Sequence, residues 1–142
     1  MARDEIRKMF AVHGGDYANG GRASTAIKDL LKALAVPADV TRRVAIAAYE
    51  AEMNVVMYAR HGTMAISVTP VRVTVEVHDE GPGIPDIALA MQEGWSTATP
   101  EMREMGFGAG MGLPNIERVS DEFQITSEVG RGTRLSIQVA VP

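Results

Sequence analysis

The chain has 142 residues, of which 46% are hydrophobic and 23% charged, with a formal net charge of −4. That size and balance fit one soluble domain with its own core, and exclude collagen, coiled coil and wholesale disorder. There is no cysteine, so disulfides, thiolate metal sites and a cysteine nucleophile are excluded. The acidic balance argues against broad nucleic-acid binding, no apolar run is long enough to span a membrane, and the charged start does not read as a secretion signal. A cytoplasmic location is the resulting expectation. Three scattered histidines (His13, His61, His78) make a poor metal set.

In chain order, residues 5 to 12 predict a short strand, and His13 to Arg22 a glycine-rich loop. From Ser24, as N-cap, Ile27, Leu30, Leu31 and Leu34 recur at helical spacing, with Pro37 as the stop. A second helix, capped by Asp39 or Thr41, is expected to run to about Arg60 and stop at Gly62. Its apolar stripe is Val44, Ala48, Ala51, Val55 and Tyr58. The period then changes to two. Met64 to Thr69 and Val71 to His78 read as strands joined by a tight turn at Pro70. After a run of glycines, Leu113 to Asp121 reads as a short helix. Phe123 to Val129 and Thr133 to Val141 read as a second hairpin turning at Gly130-Arg-Gly132. Two hairpins with helices covering one face imply an α+β, two-layer sandwich on a mostly antiparallel sheet, in one domain over 1–142.

Four constellations carry chemistry. In Glu50-Ala-Glu-Met-Asn54 the first and last residues project from one helix face, one turn apart, while Glu52 is expected to point to the other side. A neutral amide oxygen beside a carboxylate suits a metal ligand next to a base, yet by itself the pattern also suits a solvated helix surface. Asp79-Glu-Gly-Pro-Gly-Ile84 follows the strongest strand. There an acid can accept a hydrogen bond from an exocyclic amine, while bare backbone lets a ring lie close. An ordinary turn has the same pattern. Gly106-Phe-Gly-Ala-Gly-Met-Gly-Leu113, leading into Pro114-Asn115-Ile116, exposes main-chain N–H groups at a helix start, which suits a phosphate chain. It is neither a dinucleotide-binding fingerprint, since no strand leads into it, nor a P-loop, since the closing Gly-Lys-Ser/Thr is missing. The fourth, Gly130-Arg-Gly-Thr133, is a hairpin turn.

Taken together in this order, the four motifs resemble the N box and the successive glycine boxes of the GHKL (Bergerat-fold, HATPase_c) ATPase superfamily, over about residues 20 to 141. Larger members carry further domains, and sensor histidine kinases a histidine-bearing helical segment that is not read before residue 24. The chain is most similar to the stand-alone class of anti-sigma-factor serine kinases and stressosome switch kinases (RsbW- and RsbT-like). Gly94-Trp-Ser-Thr97 and Asp121-Glu-Phe add to the likeness with the switch-kinase branch.

The resemblance implies an ATP-dependent protein serine/threonine kinase that uses Mg²⁺ and phosphorylates a STAS-domain partner. A sigma factor or PP2C-type phosphatase is a further implied partner, and a homodimer is compatible with it. It also implies the site. Asn54 is the Mg²⁺ ligand and Glu50 the catalytic base. Asp79, Gly81, Gly83, Ile84 and Thr133 form the adenine pocket, and Gly106, Gly108, Gly110, Met111, Gly112 and Leu113 a lid over the phosphates. Arg22 and Arg103 are weaker candidates for contacting a partner or the γ-phosphate. Glu93 to Gly112 is expected to be the most mobile segment. Two other readings stay open: a nucleotide-gated module that holds a sigma factor or phosphatase, and a free-standing ATPase domain of a split histidine kinase.

Overall fold

The structure, a computed structural model, describes residues 5–92 and 112–142. Its elements run β1 (Ile6–His13), a 3-10 turn (Tyr17–Asn19), α1 (Arg22–Ala33), α2 (Ala38–Tyr58), β2 (His61–Val68) and β3 (Arg72–Glu80). There follow α3 (Ile87–Ala90), α4 (Gly112–Val119), β4 (Glu122–Glu128) and β5 (Gly132–Ala140). The expectations for Glu93 to Met111, including Gly106, Gly108, Gly110, Met111 and Arg103, lie outside the described residues.

The five strands form one antiparallel sheet in the order β1-β2-β3-β5-β4. Alternation explains which face is covered. Met64, Ile66 and Val68 of β2, Val73, Val75 and Val77 of β3, and Leu135, Ile137 and Val139 of β5 are all buried on the side facing the helices. They meet Ile27 and Leu31 of α1, Val44, Ala48, Ala51 and Val55 of α2, and Ile116 of α4 in one core. Small residues on α2 let that long helix lie close over the sheet, so a chain with few aromatics still packs a continuous interior. The α+β, two-layer reading therefore holds.

Several boundaries differ from the sequence reading, each for a local reason. Helix α1 starts three residues early, with Gly21 as N-cap; Ser24 lies inside the helix and its hydroxyl donates to the Gly21 carbonyl at 3.0 Å. Pro37, not Asp39 or Thr41, is the N-cap of α2, and the Thr41 hydroxyl instead donates to the Val36 carbonyl at 3.3 Å. Helix α2 ends at Tyr58, and Gly62, expected to stop it, is a buried residue of β2. The hairpin turn is closed at Pro70 as expected, with Thr69 N–H donating to the Arg72 carbonyl at 2.9 Å. Strand β3 continues two residues past His78, which puts Asp79 within the sheet. Helix α3 carried no periodic signal in so short a segment; it is capped by the Asp86 carboxylate, which accepts from Leu89 N–H at 3.0 Å.

At the far end of the helical layer, Arg43 of α2 ties three elements together. Its guanidinium donates to the Val119 carbonyl at the end of α4 and to Asp121, both at 2.8 Å. Asp121 also accepts from Ala140 N–H of β5 at 2.7 Å. The Arg43 hydrogen bond holds the Asp121 carboxyl below the ordinary range. This clamp fixes the direction in which α4 runs along α2.

Candidate functional site

Helix α2 presents Glu50 and Asn54 from one side, both partly buried, and the first residue of α4 lies directly over them. A Cβ on Gly112 would stand 3.3 Å from Asn54 Oδ1 and 3.4 Å from Glu50 Oε2, closer than most side chains tolerate. Glycine there lets backbone, rather than a side chain, approach the carboxylate and amide. Three residues on, Asn115 shares that side of α4 and hydrogen-bonds Glu50 through its side chain. Its Oδ1 also accepts from the Arg118 guanidinium at 3.0 Å. Burial pushes the Glu50 carboxyl up from its ordinary value, and the Asn115 hydrogen bond draws it part of the way back. Sequence reasoning assigned Asn115 no role. The signal was present in its three-residue spacing from Gly112, but only the contact with α2 gives it meaning.

The second group gathers at the end of β3. Asp79 Oδ1 accepts from Thr133 N–H at 3.2 Å, a link across 54 residues of sequence. Burial raises this carboxyl too, while the Thr133 hydrogen bond and the nearby His78 act in the opposite direction. Ser127 fastens the pocket wall. Its hydroxyl accepts from Ile84 N–H at 2.7 Å, donates to the Gly132 carbonyl at 3.1 Å and lies 2.9 Å from the Thr133 hydroxyl. Gly83, at φ +75, turns the chain where a side chain would collide with the Glu128 backbone. Gly130 N–H donates to the Pro82 carbonyl at 2.8 Å and stitches the β4–β5 turn to the same loop. Gly81 N–H donates to the Arg131 carbonyl at 3.3 Å, so the Asp79–Ile84 run and the distant Thr133 form one local structure. Ser127 was not foreseen, because a serine in an alternating strand reads as a solvent-facing residue.

The reading of the Glu50–Asn54 segment as a solvated helix surface fails at Glu52, which is 2% exposed. Its carboxylate accepts from the backbone N–H groups of Ala23, at 3.1 Å, and Ser24, at 2.8 Å, and so caps the start of α1. The first turn of a helix leaves N–H groups without intrahelical partners, and no side chain at Gly21 can serve them. A carboxylate from α2 does so instead, favoured by the positive end of the helix. Arg22, beside this cap, is exposed.

Among the described residues no cluster of three or more His, Asp or Glu side chains could by itself hold a metal. His61 pairs with Glu80 at 2.9 Å on the surface. A cation at Glu50 and Asn54 would have one carboxylate and one amide oxygen from these residues, a donor set that fits a hard ion keeping most of its waters and sharing phosphate oxygens. The glycine contact at 112 leaves that approach open. Among the described residues no helix is long and apolar enough to cross a membrane.

Comparison with known proteins bears on the family and the fold. Residues 16–139 match the histidine kinase-like ATPase domain. The serine/threonine-protein kinase RsbT of Bacillus subtilis (strain 168) is 35% identical over 97 residues, 66% of this chain and 67% of that protein. The anti-sigma F factor of Caldanaerobacter subterraneus subsp. tengcongensis is 34% identical over 88 residues, 62% of this chain but only 54% of that protein. Among solved structures, the SiaB-SiaC complex from Pseudomonas aeruginosa matches with a TM-score of 0.60 at 14% identity, covering 99% of this chain and 93% of that one, which is a likeness of fold.

Proposed function

We infer that this chain, which belongs to the histidine kinase-like ATPase family, is an ATP-dependent protein serine/threonine kinase of the anti-sigma and switch-kinase type. Its acceptor is a STAS-domain regulatory protein, and residues 1–142 act as one catalytic domain. The observation that carries this reading is the placing of Glu50: a half-buried carboxylate one turn from Asn54, under the backbone of Gly112 and held by Asn115. A pure nucleotide-binding module has no need of a carboxyl kept there with raised basicity.

Each residue then has a distinct task. Asp79, held by Thr133 N–H, accepts a hydrogen bond from the adenine amino group, with Gly81, Gly83 and Ile84 forming the bare wall beside the ring. Asn54 would offer its oxygen to Mg²⁺, which would supply charge neutralisation at the phosphates. Gly112 and Leu113, at the start of α4, present main-chain N–H groups to the phosphates. Glu50 orients the acceptor Ser or Thr hydroxyl and takes its proton. Phosphoryl transfer is mostly positioning and charge neutralisation, so no catalytic lysine is needed. The relatives named anti-sigma F factor favour one second reading, in which the nucleotide-loaded protein also holds a sigma factor.

The test has two readouts. Mg·ATP and Mg·ADP raise the melting temperature by mass action, and Asp79→Asn weakens that rise. Asn54→Ala lowers both Mg²⁺-dependent nucleotide binding and transfer of labelled phosphate to a STAS-domain partner. Absence of any nucleotide-dependent shift in the parent overturns the assignment. A shift without transfer to any partner favours the nucleotide-gated binder.

A further inference from the structure

A cavity of about 550 Å³ opens between α1 and α2, on the outer side of the helical layer. None of the adenine-pocket residues lines it; among the described residues of the proposed site only Glu50 does. Its floor is apolar, with Val36, Ile46 and Tyr49. Tyr49 precedes Glu50 in sequence and is 42% exposed, a large amphipathic ring left without a covering partner among the described residues. The rim carries Lys28, Lys32 and Arg42. Arg42 is engaged with Asp39 at 2.9 Å, whereas neither lysine has an ion-pair partner among the described residues. Among the described residues Glu50 is the only carboxylate lining the groove, so a cationic stripe stands out on a chain with an excess of acids.

We propose that this groove docks the phosphoacceptor protein, taking an acidic segment with an apolar anchor beside the acceptor Ser or Thr. The proposal rests on the kinase reading above and names the chemistry of its substrate. An acceptor hydroxyl must reach Glu50 from a side the nucleotide does not fill, and the groove is the lined approach that ends there. The apolar anchor covers Tyr49 and Ile46, as interface anchors do in desolvated pockets. Acidic side chains on the same segment meet Lys28 and Lys32, which set orientation and exclude basic sequences.

The test uses the full chain with Mg·ADP and three fluorescent peptides of equal length centred on one Ser. The first has Leu and flanking Glu, the second Leu and flanking Lys, and the third Ala in place of Leu with Glu kept. Anisotropy is expected to rank the first peptide roughly ten-fold tighter than the second, in line with two opposed charge pairs. The double variant Lys28→Glu, Lys32→Glu reverses that order, Tyr49→Ala removes the preference for Leu over Ala, and nucleotide-dependent melting stays as in the parent. Failure of any peptide to bind, or an affinity order indifferent to the lysine reversal, overturns the docking proposal. If instead a second copy fills the groove, the double variant shifts sedimentation and leaves peptide affinities alone, which also overturns it. A parent protein without a nucleotide-dependent melt shift defeats the kinase reading itself, so the two failures are separable.

Discussion

Glu50 and Glu52 stand two residues apart on α2, and the fold uses them for opposite ends. Glu52 faces inward and holds the backbone N–H groups of Ala23 and Ser24, so its carboxylate is consumed by structure. Glu50 faces the cleft under Gly112, half-buried, with Asn115 as its partner and its basicity raised by burial. The first carboxylate has both oxygens engaged by fixed donors. The second keeps capacity for a proton. One helix thus carries an anchor and the proposed base within a turn, and the lesson is that a carboxylate's task follows from the donors around it rather than from its burial alone.

The largest effect that separates the two is on transfer. Glu50→Gln keeps size and hydrogen bonding but removes the base, so phosphoryl transfer should fall by about 10²–10⁴-fold while nucleotide affinity survives. Transfer at the parental rate would show that the carboxylate is not the base, and the contrast with Glu52 would collapse.

The second effect is on stability, and it belongs to Glu52. Glu52→Ala leaves two backbone donors at the start of α1 buried without an acceptor, at a cost of about 2–3 kcal/mol. Glu52→Gln also destabilises, because each oxygen accepts from a different N–H and the amide would turn a donor toward one of them. Both variants should melt below the parent, with Ala23 and Ser24 amides losing hydrogen-exchange protection. Parental melting temperatures for both would mean the cap contributes nothing.

The smallest effect is a pH slope. Glu50 and Asp79 have carboxyls raised in the folded state, so the folded protein binds more protons than the unfolded chain just above the ordinary carboxylate range. Their contribution to stability is therefore fully present below that range and is lost as pH rises through the folded values. Denaturant titrations from acid to neutral pH should find that Glu50→Gln or Asp79→Asn flattens this loss. Asp121 acts oppositely: its lowered carboxyl contributes above the ordinary range and is lost as pH falls through the folded value. An unchanged slope in Glu50→Gln would place that carboxyl in a more solvated setting than the one that distinguishes it from Glu52.

The sequence by itself determined the order of the five strands and the three longer helices, the half-buried strands and the spacing of the chemical residues. These are local properties: a period of two in Val73, Val75 and Val77, or a four-residue step from Glu50 to Asn54, fixes which side chains share a face before any packing is known. Strand ends and caps were less legible, since Pro37 and Gly21 serve as N-caps with no side-chain hydrogen bond to announce them. Only the tertiary structure decided which distant groups meet. Pairing β3 with β5 sets Thr133 N–H against Asp79, and the lie of α4 on α2 sets Gly112 and Asn115 against Glu50. The same packing turned Glu52 from an expected surface residue into a buried cap. A helix with small residues on most sides can be approached from more than one direction, so periodicity could not say that α1 would arrive there with two open backbone donors.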